Sequence, residues 1–145
     1  MLKKVITYTD YDGETRTETH WFNLTKAEIL EMELLTKGGM EKMIQNIVET
    51  QDVPSLVKLF KTLIDKSYGV KSPDGKRFIK NPEDLKEFKE TEAYSELFME
   101  LATDSDAASK FIEGIVPSGI DINDPEVRAK AEKLIAESGG SVENA

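Results

Sequence analysis

Apolar and polar residues alternate with period two near the start of the chain, and after Phe22 the pattern changes to a helical period. Val5 to Thr9 and Glu14 to Phe22 are rich in Thr, Val, Ile, Tyr and Trp, with the turn signal Asp12-Gly13 between them. This predicts a β-hairpin. With Asp12-Gly13 as a two-residue loop, Tyr11 faces Glu14, Thr9 faces Arg16, Thr7 faces Glu18 and Val5 faces His20. Ile6, Tyr8 and Trp21 then lie on the opposite side among Thr15, Thr17 and Thr19. That side is expected to rest on helices, because an isolated hairpin is marginal in water. Both hairpin edges are left open to pairing.

The first helix starts at a capping box, Thr25 with Glu28, and Leu24 can staple to Ile29. It is expected to run to about Thr36 and stop at Gly38-Gly39. Ala27, Leu30 and Leu34 share one side, while Ile29 and Met32 point away from them. Such a helix is either sandwiched in a core or exposes a second apolar stripe. Met40, Met43, Ile44, Ile47 and Val48 predict the next amphipathic helix. After an Asp52 cap come Leu56, Val57, Leu59, Phe60, Leu63 and Ile64, with Gly69 as the stop. Ser72-Pro73-Asp74-Gly75 is a turn, flanked by Val70 and Phe78-Ile79 as short extended pieces. Asn81-Pro82 restarts helix with Leu85 and Phe88 buried. Two more helices follow, one on Tyr94, Leu97, Phe98 and Leu101, and one on Ala107, Ala108, Phe111, Ile112 and Ile115.

These elements predict a mainly α (α+β) fold: an N-terminal β-hairpin packed on a compact bundle of short helices. Residues 1–117 form the expected domain. Residues 118–145 are expected to supply a linker, an amphipathic helix on Val127, Ala131, Leu134 and Ile135, and a loose tail from Gly139.

Composition narrows the chemistry. With 28 acidic against 19 basic residues the net charge is −9, which repels phosphate backbones and anionic lipid and disfavours nucleic acid and membrane as partners. There is no cysteine, so no disulfide or thiolate site can form. Leu2-Lys3-Lys4 turns polar at once, without the apolar region of a signal peptide, and no apolar run reaches membrane-spanning length. A soluble intracellular protein is the expectation.

Candidate catalytic and metal-binding groups find no partners in the sequence. His20 is the only histidine, and the expected register sets it on a partly solvated strand face beside Val5, Phe22 and Glu18. Asp10-Tyr11-Asp12-Gly13 brings its glycine too early for an EF-hand loop. Gly38-Gly39 is followed by no Lys-Ser/Thr, so it reads as a helix stop, not a phosphate cradle. No serine sits in a nucleophile-elbow setting. The expectation is a binding protein without catalytic residues, metal or cofactor. Met32 and Met99 stand off the apolar stripes of their helices. Either a further layer covers them, or they form an adaptable contact surface.

Four stretches carry a resemblance: Ile6-Thr7-Tyr8-Thr9-Asp10-Tyr11-Asp12-Gly13, Phe22-Asn23-Leu24-Thr25-Lys26-Ala27-Glu28, Asp74-Gly75-Lys76-Arg77-Phe78-Ile79-Lys80 and Thr91-Glu92-Ala93-Tyr94-Ser95-Glu96-Leu97-Phe98-Met99-Glu100-Leu101. In texture and order the chain resembles the tail assembly chaperones of siphophages and myophages of Gram-positive hosts, over roughly residues 3–117. The resemblance implies a protein that acts in the host cytoplasm during virion assembly and is absent from the finished tail. It implies binding and solubilisation of the phage tape measure protein and recruitment of the major tail tube protein. In many related systems a frameshifted longer form accompanies the short one. The expected partner contacts are Ile29, Met32, Met99, Val127, Leu134 and Ile135, seated as helix-in-groove contacts, with the hairpin edges available to a homo-oligomer. A structural component of the virion (tail or head-completion protein) and a host adaptor are the alternative classes.

Overall fold

A computed structural model describes residues 1–117. The linker, last helix and tail expected over 118–145 lie outside the described residues. The element order is β1 (Leu2–Thr9), β2 (Thr15–Phe22), α1 (Lys26–Leu35), α2 (Met40–Glu49), α3 (Val53–Ser67), β3 (Tyr68–Lys71), β4 (Phe78–Ile79), α4 (Pro82–Lys89), α5 (Glu92–Thr103) and α6 (Ser105–Ile115). The mixed α+β class is as the sequence predicts. The described chain forms two compact units, one of Met1–Leu24 with Val57–Val116, the other containing Thr25–Leu56.

The first unit holds more sheet than a hairpin. Its four strands lie in the order β1-β2-β3-β4, every neighbouring pair antiparallel. The chain turns from α3 directly into β3 at Ser67, two residues before the expected stop at Gly69. Gly69 is a strand residue instead, paired with Trp21. The turn over Ser72 to Gly75 then delivers β4: buried Ser72 Oγ accepts from Arg77 N–H at 3.0 Å and donates to Asp74 at 2.7 Å.

The hairpin register corrects the expectation by one residue. Thr9 pairs with Thr15, Thr7 with Thr17, Val5 with Thr19 and Leu2 with Phe22. Asp10 opens the turn. Its Oδ1 accepts from Asp12 N–H and Glu14 N–H, each at 2.9 Å. Gly13 N–H donates to the Asp10 carbonyl at 3.0 Å, and Gly13 itself sits at φ 83°. A tight turn closed by a left-handed glycine makes a three-residue loop in place of a two-residue one. Because side chains alternate, that single residue moves Trp21 to the outer face with Val5 and brings His20 and Glu18 inside with Ile6, Tyr8 and Phe22.

Helices α5 and α6 lie against β1 and cover this inner face. Phe22, Leu24, Leu97, Leu101, Phe111 and Ile115 are all at most 2% exposed and form the centre of the core. Phe22 meets Phe111 edge-on at 5.3 Å and Phe88 at 6.0 Å, while Tyr68 stacks on Phe88 at 4.5 Å. Asn23 N–H to the Ser67 carbonyl and Leu24 N–H to the Ile115 carbonyl anchor the chain as it leaves β2. At the rim, Lys4 Nζ reaches both oxygens of Glu100, at 3.0 and 3.1 Å.

In the second unit the capping box forms as predicted: Thr25 accepts from Glu28 N–H at 3.1 Å, and Glu28 accepts from Thr25 N–H at 2.9 Å. The buried positions of α1 are Ile29 and Glu33, one turn apart, whereas Ala27 is exposed and Leu30 and Leu34 are half-buried. Glu33 Oε2 accepts from Met40 N–H at 2.8 Å, so the carboxylate holds the start of α2. On α2, Ile47 is buried and Met40 and Met43 are half-buried. Asp52 caps α3 through Ser55 N–H at 3.2 Å and Ser55 Oγ at 2.6 Å.

Candidate functional site

Of the six residues expected to meet a partner, the three that are described, Ile29, Met32 and Met99, occupy unlike environments. Met99 is 54% exposed, so no further layer among the described residues covers it. It is placed by the period of α5: Leu97 and Leu101 point into the core, and Met99 points the other way. Glu92, Glu96, Met99 and Thr103 follow one another at helical spacing and make an acidic ridge around one methionine. Met32 is half-buried and Ile29 only 7% exposed. Val127, Leu134 and Ile135 lie outside the described residues. Exposed Leu35 and Val53 are further apolar groups on the second unit.

A second surface escapes the pattern reading because it depends on the register. The outward strand positions of the sheet carry Lys3, Val5, Trp21, Lys71 and Phe78 around a ladder of threonines. Val5 is 56% exposed. Lys71 Nζ lies 4.6 Å above the Trp21 ring, and Thr7 and Thr17 join hydroxyls at 3.0 Å. No outward strand position carries a carboxylate, in a chain with 28 acidic residues. The signal for this face was in the sequence: Asp10 three residues ahead of Gly13 favours the longer loop, and the longer loop sets the face.

The groups that most resemble chemical machinery are engaged in structure. His20 lies between Phe88, at 4.7 Å, and Tyr68, at 6.2 Å. Burial pushes its pKa below the usual histidine value. Glu18, 3.7 Å from Nε2, pulls the other way and is too distant for a good hydrogen bond, so burial prevails. Tyr8 donates to Glu18 at 2.7 Å, and that bond raises the phenol. The Asp10 carboxyl is held low, first by Arg16 and then by the backbone N–H groups of the turn. Tyr94 is pushed up to about 12 by burial and by Asp65. Each of these groups serves a turn, a rim or the aromatic core.

No helix among the described residues is long and apolar enough to cross a membrane. No curated protein and no solved structure matches the chain. A family model described as phage tail assembly chaperone does match, over residues 1–139. With nearly the whole length covered, the chain belongs to the phage tail assembly chaperone family.

Proposed function

We propose that this protein binds the phage tape measure protein, keeps it soluble and helps recruit the major tail tube protein, acting without catalysis or cofactor. Membership of the tail assembly chaperone family is the observation that carries this reading. The Met99 ridge adds a physical means. Methionine adapts to imprecise partners, and an exposed one on a helix suits contact with a helical client. The net charge of −9 would keep a client complex dispersed. Action in the host cytoplasm during assembly, and absence from the finished tail, belong to the same proposal. Val127, Leu134 and Ile135 of the C-terminal segment are proposed as further client contacts.

The test is co-expression with the tape measure protein, followed by pull-down and a solubility assay. Soluble, co-purifying client supports the reading. Insoluble, unbound client, together with this chain in purified virions, would overturn it in favour of a structural virion component. Met99→Asp then tests the ridge: a folded variant with weakened solubilisation places Met99 in the contact, and unchanged solubilisation removes it.

A further inference from the structure

Across the outward sheet face, Lys3 on β1 pairs with Trp21 on β2, and Trp21 with Gly69 on β3. Gly69 has no side chain, and the Phe78 ring of β4 fills its place. Two half-buried aromatic rings thus make an apolar floor, with exposed Val5 at its margin. Lysines border it. Lys71 Nζ stands 4.6 Å above the Trp21 ring and Lys80 Nζ 6.0 Å from the Phe78 ring, so both ammonium groups are held near the floor. Other basic groups of this unit are matched by acids: Lys4 by Glu100, Arg16 by Asp10 and Lys89 by Asp65. Lys3 and Lys71 form no ion pair among the described residues.

Unmatched cations around an apolar floor are complementary to carboxylates around an apolar side chain. We propose that this face docks a segment of another protein, apolar at its centre and flanked by aspartate or glutamate. The apolar residue sits against the Trp21 and Phe78 rings, with carboxylates toward Lys3 on one side and Lys71 on the other. The Trp21 contact already places the Lys71 ammonium, so less side-chain freedom is lost when a carboxylate arrives. Nucleic acid and anionic lipid fit less well, because these few lysines lie in the field of a chain of net charge −9. A short acidic segment meets less of that repulsion and gains the apolar contact. The proposal goes beyond the client reading, whose described contact, Met99, lies on α5.

Trp21 is the only tryptophan, so its emission reports on this face directly. The test titrates the full chain with a short tryptophan-free peptide, a central Phe-Leu pair flanked by aspartates and glutamates, at low and high salt. The expected result is a saturable change in Trp21 emission whose affinity falls with added salt, since exposed charges are screened beyond about 8 Å at physiological ionic strength. The same peptide with lysines in place of its acids should leave the emission unchanged. Lys71→Glu and Lys3→Glu, each checked for folding by circular dichroism, should weaken the acidic peptide about tenfold. Lys71→Arg and Met99→Asp should bind it like the parent. Absence of a saturable change overturns the proposal, as does an equal response to the lysine peptide or an affinity indifferent to both glutamate substitutions. A stronger response to oligothymidylate or to phosphatidylserine vesicles overturns it in favour of a polyanion site. Emission that shifts with protein concentration and is unmoved by the peptide overturns it in favour of a second copy on the face. None of these readouts uses the tape measure protein, so failure of the client reading would leave them unchanged.

Discussion

Phe78 lays its ring over the α-carbon of Gly69, so that a Cβ added there would stand 2.5 Å from the ring edge. The glycine is therefore a packing requirement of the β3–β4 pair, and the ring takes the place of a side chain on the outward sheet face. Gly69→Ala is expected to destabilise the protein by about 1–3 kcal/mol in urea unfolding. Phe78→Ala removes the obstruction, so the double variant should cost less than the sum of the two, by about 1 kcal/mol. Additivity of the two losses would show that the ring moves aside freely.

Glu33 and Met40 bind α1 to α2 through a carboxylate that is 1% exposed. Glu33→Ala leaves the Met40 N–H without this acceptor, and the expected cost is about 1–3 kcal/mol. Glu33→Gln keeps an acceptor oxygen and should lose less. Hydrogen exchange at the Met40 amide reads the local effect: faster in the alanine variant, nearer the parent in the glutamine variant. Thr25→Ala, which removes the other half of the helix's wiring at the capping box, should cost about 1 kcal/mol.

Helices were readable in this chain because their punctuation is local. Thr25 with Glu28 and Asn81 with Pro82 mark starts where a side chain satisfies orphan N–H groups within one turn, as their spacing predicts. The sheet was less readable, because faces follow from a loop of a few residues and an error of one inverts them. Trp21 was expected inside and is outside; His20 was expected at the partly solvated side and is inside. Glu33 escaped for a different reason: its burial is supported by a bond to a residue seven positions on, which helical periodicity cannot reveal. Among the expected contact residues, Met99 was legible because its helix has a clear opposite stripe. On α1 the apolar residues lie all round, so the pattern could not choose between Ile29 and the Leu30/Leu34 side.

The register itself can be tested by cross-linking, since the chain has no cysteine of its own. The Thr7 and Thr17 hydroxyls are 3.0 Å apart across the strands, close to the separation a disulfide needs. Thr7→Cys/Thr17→Cys should oxidise readily and raise stability toward urea. Thr7→Cys/Glu18→Cys, the pair that a two-residue loop would bring together, should stay reduced under the same conditions. The reverse outcome would reinstate the shorter loop.

His20 makes stability depend on pH in a direction that its surroundings fix. Burial against Phe88 and Tyr68 holds the folded-state pKa below the unfolded value, with Glu18 only partly offsetting it. A proton therefore binds the unfolded chain more readily than the folded one, and the unfolded state gains as the pH falls. The contribution of the neutral ring is present above the unfolded pKa of about 6.5. It declines as pH falls below that value and levels off once the folded-state pKa is passed. As the sole histidine, His20 is the only side chain whose ordinary value lies in this range, above the carboxylates. Urea midpoints measured between about pH 7.5 and pH 5 should fall on acidification in the parent. In His20→Phe, which keeps a ring against Phe88 and carries no titrating group, the midpoint should be nearly flat over the same window. A parent whose stability rises on acidification would mean that the Glu18 pairing outweighs burial, and the charged imidazole would then be the form the fold prefers.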